Sequence, residues 1–149
     1  METRSDRFND FISKYGVALA SIVALAATLG SLYFSEVRHF VPCTLCWYQR
    51  ILMYPLVIIT LVGMITQDDL VPNYVLPFSV IGIGVSTYHY LMQLGYITSG
   101  TACAVGVPCS GRYINWLGFV TIPFLALTAF VLITVLMVLV LRAHRRADA

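Results

Sequence analysis

Four long stretches without a charged side chain decide what this chain can fold into. Residues 16–34, 51–67, 70–110 and 113–141 contain no Lys, Arg, Asp or Glu. The third is broken by a glycine-rich loop, and each supplies a segment near the ~20 residues that cross a bilayer core. The second is short by itself and reaches full length only if its helix begins back at Cys43. Core helices of a soluble protein rarely come four to a chain with no charged face. With 59% hydrophobic and only 11% charged residues, a 149-residue chain is too apolar for a soluble fold. The expectation is an all-α integral membrane protein of one domain, a four-transmembrane-helix bundle. Its spans are placed at about 15–34, 43–66, 73–97 and 116–141, with outer loops at 35–42 and 98–115. Residues 1–9 read as a loose polar end, and Pro123 as a kink in the last span.

Charge then sets the expected orientation. A net charge of +2 is too small to suggest nucleic acid, and position matters more than the sum. Arg4, Arg7 and Lys14 precede the first span, and Arg142, Arg145 and Arg146 follow the last. Four spans return the tail to the side of the head, so both termini are expected in the cytoplasm. The loop holding Asp68 and Asp69 has no basic residue and does not bear on the assignment. By parity, Cys43, Cys46, Cys103 and Cys109 all face outside, where disulfides form and persist.

Cys43 and Cys46 stand three apart at the mouth of the second span, behind Pro42, with Arg50 four residues further on. On a helix the two thiols share a face, and Cys46 and Arg50 are neighbours. Pro42 suits a helix start. Thiols in a first turn meet unpaired N–H groups and the positive end of the dipole, which favour thiolate, as does a nearby guanidinium. His89 and Gln93 lie four apart in the outer third of the third span. An ionisable residue at that depth marks either function or a structural bond between helices.

Three uses of the cysteines compete. As staples they are weak: bridging Cys43 to Cys46 is worth about 2 kcal/mol and Cys103 to Cys109 about 2.5 kcal/mol by loop entropy. As zinc ligands they offer C-x2-C with His39 nearby, but the second pair, C-x5-C, is loosely spaced for that, and no metal ligand is assigned. As a relay, two vicinal pairs on one surface pass electrons through mixed disulfides. Cys103 and Cys109, on a loop, are placed to meet a soluble partner. Cys43 and Cys46, at the membrane edge, are placed to meet a lipid-soluble acceptor, of which a quinone (menaquinone or ubiquinone) is the obvious one. Arg50 then stabilises charge on Cys46 or on a reduced quinone oxygen, and His89 exchanges a proton or hydrogen bond with the ring. A role for Glu36 or His39 in tuning the thiols has no support in the spacing.

The run Cys43-Thr44-Leu45-Cys46-Trp47-Tyr48-Gln49-Arg50, with Met53-Tyr54-Pro55 after it, resembles the signature of the DsbB family of membrane disulfide oxidoreductases. With Pro108-Cys109-Ser110-Gly111-Arg112-Tyr113 and a short second loop, the chain is most similar to the BdbC-like branch. The resemblance covers the whole chain. It implies a four-helix bundle of the bacterial cell membrane that reoxidises an extracytoplasmic thioredoxin-like thiol oxidase (DsbA/BdbD-like) and so supports disulfide formation in secreted proteins. It also implies roles by position: Cys103 attacked by the partner with Cys109 as its mate, Cys43 exchanging with that pair, and Cys46 beside the quinone. Arg50 matches the family arginine at the quinone, and His89 a family histidine with different flanking residues. Only residues 104–108 separate the loop cysteines, fewer than in the DsbB branch proper, so attack on either loop cysteine stays open. The alternative is a membrane scaffold or zinc-binding protein with structural cysteines.

Overall fold

The computed structural model describes residues 4–98, 103 and 106–147. Helices α1 (Arg4–Leu32), α2 (Thr44–Thr66), α3 (Val71–Leu94) and α4 (Ile122–Ala147) make up the fold, and α1 runs on into a π-helical turn at Tyr33–Val37. No strand occurs among the described residues. Four segments are long and apolar enough to cross a membrane: Arg7–Val37, Thr44–Thr66, Val71–Leu94 and Ile122–Arg146. Such segments suit lipid because a helix satisfies its own backbone hydrogen bonds where no water is present.

Each helix packs on its two neighbours around the ring α1–α2–α3–α4, while α2 and α4 barely touch across the centre. Small residues let the backbones approach, the usual device where lipid is as apolar as the interface. Gly16, Ala20 and Ala24 form a buried stripe at i, i+4 and i+8 on α1. A Cβ on Gly16 would lie 2.2 Å from Val140 of α4. Phe130, Leu56, Ile133, Met137 and Val75 are fully buried at the core. The lipid-facing surface is the more apolar one: Ile22, Ile58 and Ile65 are exposed, while Ser79, Ser86, His89 and Gln93 are buried. Thr134 Oγ1 donates to Ser79 Oγ at 2.9 Å and ties α4 to α3.

Gly82 shows how tightly these helices meet. A Cβ there would fall 2.4–2.6 Å from three ring carbons of Phe130. Gly82→Val is therefore expected to lower stability by about 1–3 kcal/mol, the usual cost of overpacking. A thermal melt in detergent checks it, and an unchanged midpoint would show that the ring moves aside freely.

Several helix ends differ from the sequence expectation, three of them for a clear local reason. Residues 4–9, expected to be loose, are the first turns of α1, with Phe8 and Phe11 exposed on its surface and Ile12 buried against the core. Helix α3 stops at Leu94 rather than 97, because Gly95 turns left-handed at φ 86° and its N–H, with that of Tyr96, closes on the last turn. Helix α4 starts at Ile122 rather than 116. Residues 116–120 instead form a tight turn, with paired hydrogen bonds between Trp116 and Val120 and left-handed Leu117 and Gly118. Pro123 consequently sits at the second position of α4 instead of kinking it, a place where its missing N–H costs nothing.

The Gly16–Val140 contact and the approach of His144 Nε2 to Asp69 Oδ1 at 3.9 Å gather both chain ends and the 67–70 turn at one end of the bundle. All four cysteines lie at the other end, where Cys43, Cys103 and Cys109 share one buried cluster with Cys46 packed against it.

Candidate functional site: two cysteine pairs joined by a histidine

Cys43 is the N-cap of α2, with extended backbone at ψ 172°, and its sulfur accepts the N–H of Cys46 at 3.4 Å. That one bond does two things: it caps an otherwise unpaired helix donor and fixes the Cys43 sulfur toward the next turn. Cys46 Sγ then lies 3.0 Å from Cys43 Sγ, with both cysteines in the free thiol form. Cys43 stands just ahead of the Thr44–Thr66 span. Its thiol is held well below the usual thiol range, first by the hydrogen bond with the Cys46 side chain and further by His89, while burial opposes both.

Cys103 and Cys109 form a disulfide with Cα atoms 5.7 Å apart. Beyond Cys109 the loop is tied to α3 and to the first outer loop. Gln93 Nε2 donates to Gly111 O at 2.9 Å, and Arg112 reaches back to Gln93 O through Nε at 3.0 Å and through a second guanidinium nitrogen. Tyr113 Oη donates to Val41 O at 3.0 Å, and its ring stacks on Phe40 at 4.7 Å, joining the two outer loops. Arg112 thus neutralises the carbonyl end of α3 while anchoring the loop. Arg112→Ala removes a charged donor worth about 1.5–3 kcal/mol. Amide exchange across residues 106–113 is expected to speed up at least tenfold, with the helices unaffected.

His89 joins the two pairs. It is 1% exposed, and Nε2 faces both Cys109 O at 3.0 Å and Cys43 Sγ at 3.7 Å. Nδ1 faces Gln49 Nε2 at 3.1 Å. An amide NH2 can only donate, so Nδ1 accepts and the proton sits on Nε2, assigned from the network. This tautomer points N–H at the Cys43 sulfur and at the backbone of the loop disulfide together.

Arg50 serves the opposite side of α2. Nε donates to Ser31 Oγ at 2.9 Å and one terminal nitrogen to Ser31 O at 3.0 Å, while Tyr54 Oη supports Ser31 Oγ at 3.4 Å. The guanidinium also lies 5.3 Å from the Trp47 ring centre. Cys46 and Arg50 border one cavity of about 70 Å³, walled by Phe34, Met53, Tyr54 and Ile122. Through Ser31, Phe34 and Ile122 it adjoins an apolar groove of about 450 Å³ between α1 and α4.

The family profile described as "Disulfide bond formation protein DsbB" matches residues 13–140. The chain belongs to the DsbB family. Among its relatives, "Disulfide bond formation protein C" of Bacillus subtilis (strain 168) is 60% identical over 119 residues, 79% of this chain and 86% of that protein. "Probable disulfide formation protein C" of Halalkalibacterium halodurans is 56% identical over 122 residues, 81% of this chain and 89% of that protein. "Probable disulfide formation protein C 1" of Bacillus cereus (strain ATCC 10987) is 48% identical over 131 residues, 87% of this chain and 94% of that protein. No solved structure matches the chain. This is a multi-pass membrane disulfide oxidoreductase of the DsbB family, built on four helices.

Of the residues singled out in the sequence, Cys43, Cys46 and His89 cluster directly, and Cys109 meets them through its carbonyl. Arg50 shares a cavity with Cys46 instead of joining that cluster. Among the described residues the Glu36 side chain bonds only its neighbour Ser35, at 3.2 Å, and His39 is exposed at a left-handed φ of 53°, outside the cluster. Sequence reasoning gave no role to Ser31, Gln49 or Arg112. Gln49 carried a signal, a lone amide inside an apolar span, whereas Ser31 looks like any small residue of a membrane helix.

Proposed function

We propose that this DsbB-family protein oxidises a soluble, thioredoxin-like dithiol partner on the extracytoplasmic side and passes the electrons to a membrane quinone. The balance is partner dithiol plus quinone giving partner disulfide plus quinol. A partner thiolate attacks the Cys103–Cys109 disulfide and forms a mixed disulfide, and the partner's second thiolate resolves it. The reduced loop pair then exchanges with a Cys43–Cys46 disulfide, with Cys43 as the sulfur that meets the loop. A loop thiolate attacks Cys43 and expels Cys46 as thiolate; the second loop thiolate then closes the loop disulfide and expels Cys43, whose thiolate the His89 N–H is placed to steady. Cys46 hands the electrons on.

The observation that carries this reading is the two-sidedness of the Cys43–Cys46 pair. Cys43 faces His89 and the loop disulfide, while Cys46 opens on the Arg50 cavity that adjoins a lipid-side apolar groove. A polar ring with an apolar tail fits that continuity: Arg50 would hold the ring and the groove would take the tail. A bound quinone supplies a two-electron sink. Arg50 holds it and favours negative charge on the reduced oxygen, and Ser31 and Tyr54 hold Arg50.

The test is anaerobic mixing of the detergent-solubilised protein with a reduced thioredoxin-like partner and menaquinone or ubiquinone. One quinol per partner disulfide is expected. Arg50→Ala is expected to raise the apparent quinone KM by roughly 10- to 100-fold, the worth of a charged hydrogen bond, with less effect on partner oxidation. Unchanged quinone kinetics would remove Arg50 from the site. Sidedness has its own check: an impermeant thiol reagent applied to intact cells should reach the reduced cysteines, and labelling only after lysis would reverse the orientation.

A further inference from the structure

The reduced dithiol site holds donor atoms beyond those that disulfide exchange requires. Cys43 Sγ, Cys46 Sγ and a ring nitrogen of His89 all lie within 4.8 Å of one another. Two thiolates and an imidazole form a donor set that suits zinc. The same three residues border a small cavity of about 10 Å³ between α2, α3 and the second loop, room for about one water. Gln93 lines this cavity too. It is 8% exposed, and its Oε1 is buried with no hydrogen-bond partner among the described residues. A buried, unpaired amide oxygen at a small cavity calls for a donor, and none of the described residues provides one.

We propose that Cys43, Cys46 and His89 of the reduced protein form a Zn2+ site, completed by one water that donates to Gln93 Oε1. Three protein ligands and a water give the open tetrahedral geometry of a zinc site that is not purely structural. Coordination at His89 Nε2 moves the ring proton to Nδ1. A half-turn of the Gln49 amide, now 3.1 Å away, then presents Oε1 to that N–H, the kind of outer partner that fixes metal-bound histidines. Zinc–sulfur bonds of about 2.3 Å set tetrahedral sulfurs roughly 3.8 Å apart, so the 3.0 Å sulfur contact must open. Cys43 sits on the cap and not within α2, where such an adjustment is easiest. Forming the site turns the two cysteine sulfurs and Zn2+ into a zinc dithiolate and releases whatever protons the sulfurs still hold, with no change in oxidation state.

A disulfide offers no thiolate, so the site exists only in the reduced protein. Zinc there would occupy both sulfurs that must be reoxidised and would act as a brake on turnover. The brake rests on the function proposed above; the binding site does not.

The test uses full-length Cys103→Ser/Cys109→Ser protein in detergent, in which Cys43 and Cys46 are the remaining thiols. The reduced protein is titrated with Co2+ and then Zn2+, with no quinone or partner present. One Co2+ per chain is expected, with thiolate-to-cobalt charge transfer and the visible bands of tetrahedral cobalt, displaced by one Zn2+. Oxidation that closes Cys43–Cys46 should abolish binding. His89→Ala and the bulkier His89→Gln should each weaken Zn2+ binding at least tenfold, and Gln93→Leu by about tenfold, the scale of outer-partner losses. Circular dichroism confirms that each variant keeps its helices, and a Cys103→Ala/Cys109→Ala background replaces the serine pair if that pair unfolds. Binding that survives oxidation, an octahedral cobalt spectrum, or zinc affinity indifferent to both His89 changes would overturn the site. A protein that binds zinc as expected yet never oxidises a dithiol would refute the proposed function and leave the site standing.

Discussion

Cys46→Ser is expected to abolish steady-state quinone reduction and to leave a single oxidising equivalent in the protein. Serine cannot form a disulfide with Cys43, and its hydroxyl does not ionise at neutral pH, so electrons reaching Cys43 have nowhere to go. The Cys103–Cys109 disulfide remains intact in this variant, because its partner contacts and loop anchors do not involve Cys46. A reduced partner should therefore be oxidised once per chain, in a burst, and then no further. Quinone absorbance and acid-quenched thiol counting separate the burst from turnover. Sustained quinone reduction by the Cys46→Ser protein would place electron exit at another residue and remove the basis of the proposed reaction.

The second large effect is expected at His89, through pH as well as rate. His89 helps hold the Cys43 thiol below its usual range, so Cys43 stays a thiolate as pH falls through neutral. The Cys46 hydrogen bond is the larger cause and survives without the ring, so removing His89 raises the Cys43 value and the thiolate is lost at a higher pH than in the native protein. Attack of reduced Cys43 on the Cys103–Cys109 disulfide, the reverse of the proposed exchange, should thus slow in His89→Ala by roughly 10- to 100-fold on the acid side of neutral, the worth of a charge-assisted hydrogen bond. It should recover toward the alkaline side, where the native protein shows little dependence. His89→Gln fills more of the space and separates loss of the imidazole from loss of packing. A flat pH profile in both variants would mean that the ring only fills space.

Much of the site was readable along the chain because much of it is local. The pairing of Cys43 with Cys46 follows from an i, i+3 spacing at a helix start, and the placement of Arg50 near Cys46 from i, i+4. The helix repeat fixes these neighbours whatever the rest of the bundle does. Pro42 and the apolar run behind it foretell the start of α2, and the cap came out at Cys43 itself. The start of α4 was less legible. Residues 113–121 belong to the same uncharged run as the helix that follows, so the absence of charge does not mark where that helix begins. The Trp116–Val120 turn depends on Leu117 and Gly118 adopting left-handed backbone, a conformation that apolar composition does not announce.

Composition and spacing by themselves determined that four apolar helices must cross lipid, and that a dithiol with an arginine behind it stands at the rim. Free energies of transfer and helical periodicity act on a sequence without knowledge of its fold. Only the tertiary structure decided what lies between the two cysteine pairs. His89, forty-six residues from Cys43, reaches its sulfur because α3 packs beside α2 in one particular register. Arg50 is aimed by Ser31, nineteen residues earlier, because α1 lies against the other side of α2. A shift of one turn, about 5.4 Å, would leave every span intact and separate these partners. Register is fixed by close contacts such as Gly82 on Phe130 and Gly16 on Val140, which belong to pairs of helices and not to any one stretch of sequence.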